Sequence, residues 1–396
     1  MRAVRAVSGI LGSAVLAACA HGASFSPLPT GFAAAAADLN AGKFKSLYSF
    51  KSIPDGMSPA AGMTLLGGTL YGTTQVGGQA DSGTVFTTST TGEERVLYSF
   101  GTGGGPDGVF PAAGLAVLSG AFYGTTLSGG DRGCGTVFKI GKSGNERVLY
   151  SFKSGNDGAN PSAALSVDHG ALYGTTQSGG NGNCVQGCGT VFEVTTAGKE
   201  HVVYAFKGGN DGMAPVARLI VVNSTLYGTT ASGGKNGVGT IFKTSVAGKE
   251  QLLHSFGAGS DGAKPEAGFV QAGGKLYGTT NGGGKNFAGT VFVTTTAGSE
   301  RVLYSFKGGA DGANPEANLI DLNGQLYGTT AVGGAPDLGT VFAINTSGSE
   351  HVLHAFRTTS EGSDPRAPLA AVNGALYGTT SLGGANGVGT IFKVSP

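Results

Sequence analysis

"LYGTTQSGG", residues 172–180, is one of seven versions of the same short segment in this chain of 396 residues. Two further markers recur at matching positions in each copy. In each series the spacings between copies run from 50 to 54 residues, and four of the six spacings equal 50. A period of this length predicts a repeat architecture and suits a four-stranded propeller blade. The three markers are the tyrosine at Tyr71, Tyr123, Tyr173, Tyr227, Tyr277, Tyr327 and Tyr377, the end of an aromatic segment at Phe50, Phe100, Phe152, Phe206, Phe256, Phe306 and Phe356, and the start of "GT[VI]F" at Gly83, Gly135, Gly189, Gly239, Gly289, Gly339 and Gly389.

Each repeat contains four candidate strands, which we name a to d. Around residue 320 they are "ANLIDL", "QLYGTT", "GTVFAI" and "EHVLHAF". Asn323-Gly324 between a and b is the strongest short signal for a two-residue hairpin turn. Because strands alternate in direction, the longer d-to-a and b-to-c loops are expected on one face of the molecule, where a ligand site is most plausible.

The two ends of the repeat region predict a closed ring. The chain enters at a lone d strand, "KFKSLYSF", and ends after an a-b-c trio that finishes "GTIFKVSP". The leading d strand can therefore complete the last sheet and protect strand edges that would otherwise pair with other molecules. The sequence predicts an all-β, seven-bladed β-propeller over residues 44–396, because an open β-solenoid, the alternative, gives no reason for this offset.

The N-terminus has the pattern of an export signal. Arg2 and Arg5 precede the apolar stretch "AVSGILGSAVLAA", which is too short to span a bilayer comfortably but suits a signal-peptide core. It ends in Leu16-Ala17-Ala18-Cys19, which resembles the lipobox of bacterial lipoproteins. That resemblance implies a signal peptide at 1–18, a lipidated Cys19 with a tether at 19–43, and a membrane-anchored protein of the bacterial cell envelope. Ordinary cleavage after a small residue, with Cys19 incidental, is the alternative.

The complete repeat unit, "LYGTTxxGGxxGxGTVF…G.E.VLYSF..G.DGA.P", resembles the GloVer tandem repeat of exported bacterial proteins. The resemblance covers residues 44–396. It implies an extracytoplasmic repeat protein without an established activity, often anchored by a separate sorting element, and here the lipobox would supply the anchor.

Composition limits the partners and cofactors that are expected. The formal net charge is +1 and charged residues are 12% of the chain, which argues against nucleic acid as a partner. Gly-Gly after strand b is read as a turn because no P-loop lysine or helix pattern follows it. No cofactor is expected, and the protein is expected to be a monomer.

Repeated polar residues are read as structural. An acidic residue in the d-to-a loop is expected to hydrogen-bond its own turn, since each loop offers one carboxylate and a calcium site needs several oxygen ligands. The glutamates that begin strand d, such as Glu94 and Glu146, are read as solvated residues on the sheet edge. His254 and His354 replace the tyrosine of the "LYSF" segment, and we interpret them as packing variation, so no metal site is expected. The acidic loop residues are Asp55, Asp107, Asp157, Asp211, Asp261, Asp311 and Glu361.

A few loop residues break the repeat symmetry. Phe110 lies in the one lengthened d-to-a loop, and Phe287 is the one aromatic residue of a b-to-c loop. Exposed aromatic rings beside polar groups suit stacking on a carbohydrate or contact with a peptide. Variation at loop tips without a ligand is the alternative. The candidate ligand-binding residues are Phe110, Asp131, Arg132, Lys235, Lys285, Phe287 and Asp337.

Three cysteines remain after Cys19. Cys184 and Cys188 flank a loop insertion in "NCVQGC", and Cys134 stands at the repeat position of Cys188. An oxidising compartment favours a disulfide over a metal site, which would need a fourth ligand. We predict a Cys184–Cys188 disulfide, with a bond from Cys134 across to the neighbouring blade as the alternative.

Three functions are compatible with these observations. The first is a non-enzymatic binding module at the cell surface or in the periplasm, whose partner is a glycan or a protein. The second is a structural scaffold without a small-molecule ligand. The third is a polysaccharide lyase or hydrolase, which would need convergent acid and base groups in the central channel. Binding is the prediction, and no catalytic residue is assigned.

Overall fold

The computed structural model describes residues 44–103, 106–257 and 259–396. The predicted signal peptide, Cys19 and the tether up to residue 43 lie outside these residues. The described chain forms seven four-stranded antiparallel sheets, arranged as the blades of the predicted seven-bladed β-propeller. No helix among the described residues is long and apolar enough to cross a membrane.

Strands a to d of each blade follow one another along the chain, except in blade 7. The strands are Thr64–Leu66, Thr69–Thr74, Thr84–Thr88 and Glu94–Ser99 in blade 1; Ala116–Leu118, Ala121–Thr126, Thr136–Ile140 and Glu146–Ser151 in blade 2; Ser166–Asp168, Ala171–Thr176, Thr190–Thr195 and Glu200–Ala205 in blade 3; and Ile220–Val222, Thr225–Thr230, Thr240–Ser245 and Glu250–Ser255 in blade 4. They are Val270–Ala272, Lys275–Thr280, Thr290–Thr294 and Glu300–Ser305 in blade 5; Ile320–Leu322, Gln325–Thr330, Thr340–Asn345 and Glu350–Ala355 in blade 6; and Ala370–Val372, Ala375–Thr380, Thr390–Val394 and the N-terminal Lys45–Ser49 in blade 7.

Short secondary elements join the two long loops of a blade. In three blades the d-to-a loop forms a two-stranded ribbon with the b-to-c loop, and in the other four a single bridge such as Ala313–Val332 takes its place. Three 3-10 turns also lie in the d-to-a loops. The ribbons are Gly56–Met57 with Val76–Gly77, Gly108–Val109 with Ser128–Gly129, and Gly262–Ala263 with Gly282–Gly283, and the turns are Gly155–Asp157, Gly209–Asp211 and Gly309–Asp311.

The N-terminal strand closes the ring as predicted. Lys45–Ser49 pairs antiparallel with Thr390–Val394, so residues from the two ends of the described chain complete one sheet. Phe50 continues this contact, because its backbone N–H donates to Gly389 and its carbonyl accepts from Asn386. On the inner side the hydroxyl of Thr379 donates to the carbonyl of Pro59 in the next blade. Side-chain and backbone contacts therefore both close the ring.

The packing explains why "LYGTT" is repeated. Leu172 and Tyr173 point to opposite faces of strand b, so the leucine packs against the preceding blade and the tyrosine against the following one. A side chain at Gly174 would lie 2.4 Å from the ring of Phe192 on strand c, so only glycine leaves room for that ring. The hydroxyl of Thr175 donates to Ala217 of the next blade, and that of Thr176 bonds Thr190 on strand c.

Neighbouring blades are held together by an aromatic contact that recurs around the ring. The phenylalanine that follows strand d meets the one in strand c of the next blade edge to face, with centroids 5.0–5.3 Å apart. All of these rings are fully buried. Such pairs contribute about 0.5–1.5 kcal/mol beyond the burial of their area. The seven pairs are Phe50–Phe86, Phe100–Phe138, Phe152–Phe192, Phe206–Phe242, Phe256–Phe292, Phe306–Phe342 and Phe356–Phe392.

Candidate functional site

A cavity of about 460 Å³ lies where the inner strands of the ring begin. All seven blades contribute to its wall through the segment that follows the repeat's proline, for example Ala60–Thr64 and Glu316–Asp321. The start of strand a therefore lines the central channel. The cavity lies toward the face with the d-to-a and b-to-c loops, because its wall includes the ends of the d-to-a loops. We call it the channel mouth.

The residue directly after the proline breaks the sevenfold symmetry of the channel mouth. It is small or apolar in blades 1 to 4 and charged in blades 5 to 7. At this position, one side of the mouth therefore carries carboxylates and a guanidinium, whereas the other side carries methyl groups and one hydroxyl. In blade order these residues are Ala60, Ala112, Ser162, Val216, Glu266, Glu316 and Arg366.

Hydrogen bonds join the charged residues into what we call the channel cluster: Glu266, Asn281, Glu316, Asp364 and Arg366. The amide nitrogen of Asn281 donates to Glu266 Oε2 and Glu316 Oε1, at 3.0 Å each. Arg366 lies 3.7 Å from Glu316 Oε2 and donates to both oxygens of Asp364, at 2.8 Å each. The two glutamates are therefore held together by one amide, and the guanidinium is fixed by two carboxylates.

The electrostatics of the cluster reflect its partial burial. Burial raises the pKa of Glu316, against the opposing effect of Arg366. Burial lowers the pKa of Arg366, but the hydrogen bond to Asp364 and the charge of Glu316 outweigh it, so the net shift is upward. Arg366 is 45% exposed and Glu316 is 23% exposed. The cluster therefore presents a guanidinium and carboxylate oxygens to the channel mouth.

A second cation lines the same cavity from blade 4. Arg218 stands two residues after Val216, the residue that follows the proline in blade 4. Its Nε lies 3.4 Å from the hydroxyl of Ser166 in blade 3. The surrounding channel wall lowers the pKa of this guanidinium by burial, although part of its surface faces the open channel. Arg218 has no ion pair with any carboxylate in the described part of the chain, so it adds a positive charge to the wall of the mouth.

The residues predicted from loop asymmetry lie elsewhere. Phe287 is 74% exposed and Phe110 is 36% exposed, and their role in binding stays a prediction. None of the seven residues lines the channel mouth, and Lys285 and Phe287 share one loop, as do Asp131 and Arg132. Asp337 accepts the N–H of Gly333 at 2.6 Å, so its carboxylate stabilises its own turn. Lys235 lies exposed in the b-to-c loop of blade 4.

Comparison of the residues after each repeat's proline would have shown the channel cluster in the sequence. The predictions made from the sequence assigned no role to Glu266, Glu316 and Arg366. These three stand at one repeat position in consecutive blades, so the fold places them side by side.

A second recurrent arrangement lies between the outer strands of neighbouring blades, and we call it the inter-blade acid site. A tyrosine of strand d donates to the aspartate of the following loop, at 2.6–3.0 Å, and a glutamate that begins strand d of the next blade faces this pair. Burial is the main cause that raises the pKa of these tyrosines. The trios are Tyr48–Asp55–Glu94, Tyr98–Asp107–Glu146, Tyr150–Asp157–Glu200, Tyr204–Asp211–Glu250 and Tyr304–Asp311–Glu350.

The interpretation of these glutamates as solvated edge residues was wrong. Glu94 is only partly exposed, and its Oε1 is buried without a hydrogen-bond partner, as is the same atom of Glu146, Glu200, Glu250 and Glu350. Burial, followed by the charge of Asp55, raises the pKa of Glu94 to about 7. The next residue along the strand, Arg95, is the exposed one. Sequence alone did not show this because the loop of the preceding repeat covers the glutamate.

The aspartate of the same site has the predicted structural role. Asp157 accepts the backbone N–H of Lys153 at 2.6 Å, and Asp211 accepts that of Lys207 at 2.7 Å. Such bonds fix the turn that leaves strand d. In two copies, His254 and His354 replace the tyrosine.

The insertion of blade 3 contains the predicted disulfide. Cys184 and Cys188 are bonded, with their Cα atoms 5.2 Å apart. Cys134 is a free cysteine of intermediate exposure, so the described chain does not contain the alternative cross-blade bond. The bond closes the inserted loop, because it joins Cys184 in the loop to Cys188, two residues before strand c.

Several solved structures resemble this chain in fold. The BP39L lectin of Burkholderia pseudomallei is 14% identical, with a TM-score of 0.55 over 88% of this chain and 97% of that chain. A gluconolactonase of Xanthomonas campestris, XC5397, is 13% identical, with a TM-score of 0.40 over 66% of this chain and 79% of that chain. A putative gluconolactonase is also 13% identical, with a TM-score of 0.44 over 79% of this chain and 94% of that chain. At this identity the lectin supports the propeller fold alone.

The comparison of sequences identifies a family. No curated protein matches this chain at a significant level. The model of the Gloeobacter/Verrucomicrobia repeat, by contrast, matches residues 36–220 and 182–392, which together include nearly all the described blades. This agrees with the repeat motif and with the seven blades built from it. The chain belongs to the Gloeobacter/Verrucomicrobia repeat family.

Proposed function

We propose that this protein is a binding module whose ligand site is the channel mouth, and that the ligand is a glycan or another small polyhydroxylated molecule. The observation that carries the proposal is the break in symmetry after the repeat's proline. Packing of near-identical blades requires no charge at this position, since blades 1 to 4 have none there. Three consecutive blades nevertheless place charged side chains on one side of a cavity.

The size and chemistry of the channel mouth support a small polar ligand. Its volume of about 460 Å³ lies within the range of about 300–1,000 Å³ that is usual for ligand pockets. Carboxylate oxygens accept and guanidinium N–H groups donate, so together they match sugar hydroxyl groups, which do both. The side chains are already held by Asn281 and Asp364, so binding would cost little further ordering.

A glycan panel tests this proposal by thermal shift. A bound ligand at about 100 times its Kd stabilises the fold by about 2.7 kcal/mol. We expect a bound glycan to raise the melting temperature of the wild type, and we expect this shift to be lost in Glu316→Gln and Arg366→Ala. Glu93→Gln changes an exposed glutamate that does not line the channel mouth, so it is the control and should keep the shift.

The other outcomes of the panel assign other functions. Loss of the shift in Phe110→Ala or Phe287→Ala, with no effect of the channel variants, would move the ligand to the loop tips. No shift with any glycan would contradict the proposal and favour the scaffold.

Hydrolysis is a second candidate because two carboxylates meet in the channel mouth. Glu266 and Glu316 share Asn281, and the raised pKa of Glu316 is the property that a general acid needs. Release of new reducing ends from the same panel, lost in both Glu266→Gln and Glu316→Gln, would identify a hydrolase. Binding without release, with both variants weakened, would identify a binding module.

We also propose that the propeller is displayed in the bacterial envelope through a lipid on Cys19. The basis is the lipobox-like end of the leader, Leu16-Ala17-Ala18-Cys19. A single acyl chain gives only marginal membrane binding and more than one gives stable anchoring. Cys19→Ala is therefore expected to move the protein from the membrane to the soluble fraction. Ser13→Ala is the matched control, and equal membrane association of both variants would contradict the anchor.

A further inference from the structure

We propose that His254, Asp261 and Glu300 bind one divalent transition-metal ion such as Zn²⁺. The three side chains come from strand d of blade 4, the loop that leads into blade 5, and the start of strand d of blade 5. They form the inter-blade acid site in which histidine takes the place of tyrosine. Their ligand atoms all lie within 4.8 Å of one another.

The distances fit tetrahedral coordination. His254 Nε2 lies 3.2 Å from Asp261 Oδ2 and 3.6 Å from Glu300 Oε2. A tetrahedral zinc ion with bonds of about 2.0–2.1 Å places its ligand atoms about 3.3–3.4 Å apart. The three atoms can therefore bind one ion with small side-chain movements, and a water molecule would complete the coordination.

The Glu300 carboxylate is buried beside the histidine, and one of its oxygens has no hydrogen-bond partner in the described chain. Its side chain is only 6% exposed, and its Oε1 is buried without a hydrogen-bond partner. A buried carboxylate oxygen without a partner is costly unless a cation or a donor meets it. His254 and Asp261 are each 24% exposed, so an ion could enter from solvent. The equivalent glutamate Oε1 also lacks a partner in the five tyrosine copies, so the imidazole beside the buried carboxylate is what distinguishes this copy as a metal site.

Backbone groups hold the aspartate in place. Asp261 Oδ2 accepts the N–H of Gly257 at 2.7 Å, and Oδ1 accepts the N–H of Gly262 at 2.8 Å. Outer contacts of this kind orient metal ligands and are part of a functioning site. An ion with charge +2 would also neutralise the two carboxylates, which otherwise repel each other.

A second sequence change removes a competing cation from this copy. In three other copies a lysine ammonium, that of Lys51, Lys153 or Lys307, lies over the tyrosine ring at 5.5–5.8 Å. The residue at this repeat position after His254 is Gly257. The copy with histidine and both acids therefore has no lysine there.

The other histidine copy has different surroundings. His354 lies 3.4 Å from Glu361 and is stacked on Phe44, with centroids 3.8 Å apart. Phe44 enters from the N-terminal segment, on the side where the other copies have the glutamate of the next blade. Arg357 follows at the lysine position. The described residues there offer one histidine and one acid, whereas the site at His254 offers three ligands.

Ligand type selects among the metals. Imidazole suits zinc, copper, iron and nickel, whereas magnesium and calcium prefer oxygen ligands alone. Zn²⁺ is therefore the probe for binding, and Co²⁺ is the probe for geometry, because its visible absorption responds to tetrahedral coordination.

The test titrates full-length protein with Zn²⁺, Ca²⁺ and Mg²⁺ by calorimetry. We expect one equivalent of Zn²⁺ to bind tightly, with no comparable binding of Ca²⁺ or Mg²⁺. His254→Tyr restores the residue of the five tyrosine copies and should fold normally, but we expect it to lose at least about 100-fold in Zn²⁺ affinity. It should also lose the tetrahedral Co²⁺ spectrum. Equal Zn²⁺ binding by wild type and His254→Tyr, or none by either, would overturn the proposal.

A gain-of-function variant tests whether these ligands suffice. The next inter-blade acid site contains Tyr304, Asp311 and Glu350. The double variant Tyr304→His with Lys307→Gly gives this site the histidine and the glycine that the site at His254 has. We expect a second equivalent of bound Zn²⁺ and a doubled Co²⁺ signal. A single equivalent in this variant would overturn the inference that the trio of side chains is enough.

Discussion

Deletion of residues 44–50 is expected to open the ring and to lower the melting temperature more than any single substitution in a strand. The segment provides the whole fourth strand of blade 7, which pairs with Thr390–Val394. It also includes Phe50, whose fully buried ring meets Phe86 of blade 1 at 5.3 Å. Loss of that ring alone costs about 3–5 kcal/mol, and the deletion adds the loss of the strand's hydrogen bonds.

Point variants separate closure of the ring from shortening of the chain. Phe50→Ala should lower the free energy of unfolding by about 3–5 kcal/mol, whereas Lys45→Ala in the strand before it should change it by less than about 0.5 kcal/mol. Lys45 is the exposed residue of that strand. Thermal and urea unfolding of the deletion variant, Phe50→Ala and Lys45→Ala measure how much stability each one loses. A deletion variant that melts like the wild type would show that the ring does not depend on its N-terminal strand.

The sequence was sufficient for the fold because each strand repeats the same local signals. Leu172 and Tyr173 supply buried side chains for two neighbouring blades, and Gly174 leaves room for Phe192. Seven copies of these contacts determine the number of blades, and the offset between the chain ends determines closure. Local pattern and global fold agree here, which makes the fold readable from one sequence.

The site was less accessible to sequence analysis because its chemistry depends on contacts between repeats. Glu266 and Glu316 are 50 positions apart and meet only because neighbouring blades place equal positions side by side. The same holds for Glu94, which is covered by the loop of the preceding repeat. A search for unusual loop tips therefore found Phe110 and Phe287 but passed over the inner charged residues.

The inter-blade acid sites are expected to make the propeller more stable at about pH 5 than at about pH 8. Burial raises the pKa of Glu94, Glu146 and Glu250 to about 7 and that of Glu200 and Glu350 to about 8, from an ordinary value of 4.5. Between these values the folded protein holds protons that the unfolded chain releases. The contribution of these groups to stability is therefore fully present below about pH 4.5 and is lost as the pH rises through about 7–8.

The effect should be measurable for each carboxyl group and large for the set. One pKa unit corresponds to 1.36 kcal/mol, and partial contact with solvent reduces the effect to about 0.5–1 kcal/mol for each glutamate. Ionisation of the five groups together should lower the free energy of unfolding by about 2.5–5 kcal/mol between about pH 5 and pH 8. Urea unfolding at a series of pH values measures this slope.

Single variants assign the slope to the buried carboxyl groups. Glu94→Gln keeps a neutral side chain beside Asp55 at every pH, so it should be more stable than the wild type at about pH 8 by about 0.5–1 kcal/mol and no more stable at about pH 5. Glu93→Gln is the matched control, because Glu93 is the exposed neighbour and should leave the slope unchanged. If Glu94→Gln and Glu93→Gln followed the same pH profile as the wild type, the buried glutamates would be ionised at neutral pH. In that case the unpartnered Oε1 atoms would have to be stabilised by solvent or by a bound cation, since a carboxylate in this position repels the aspartate beside it.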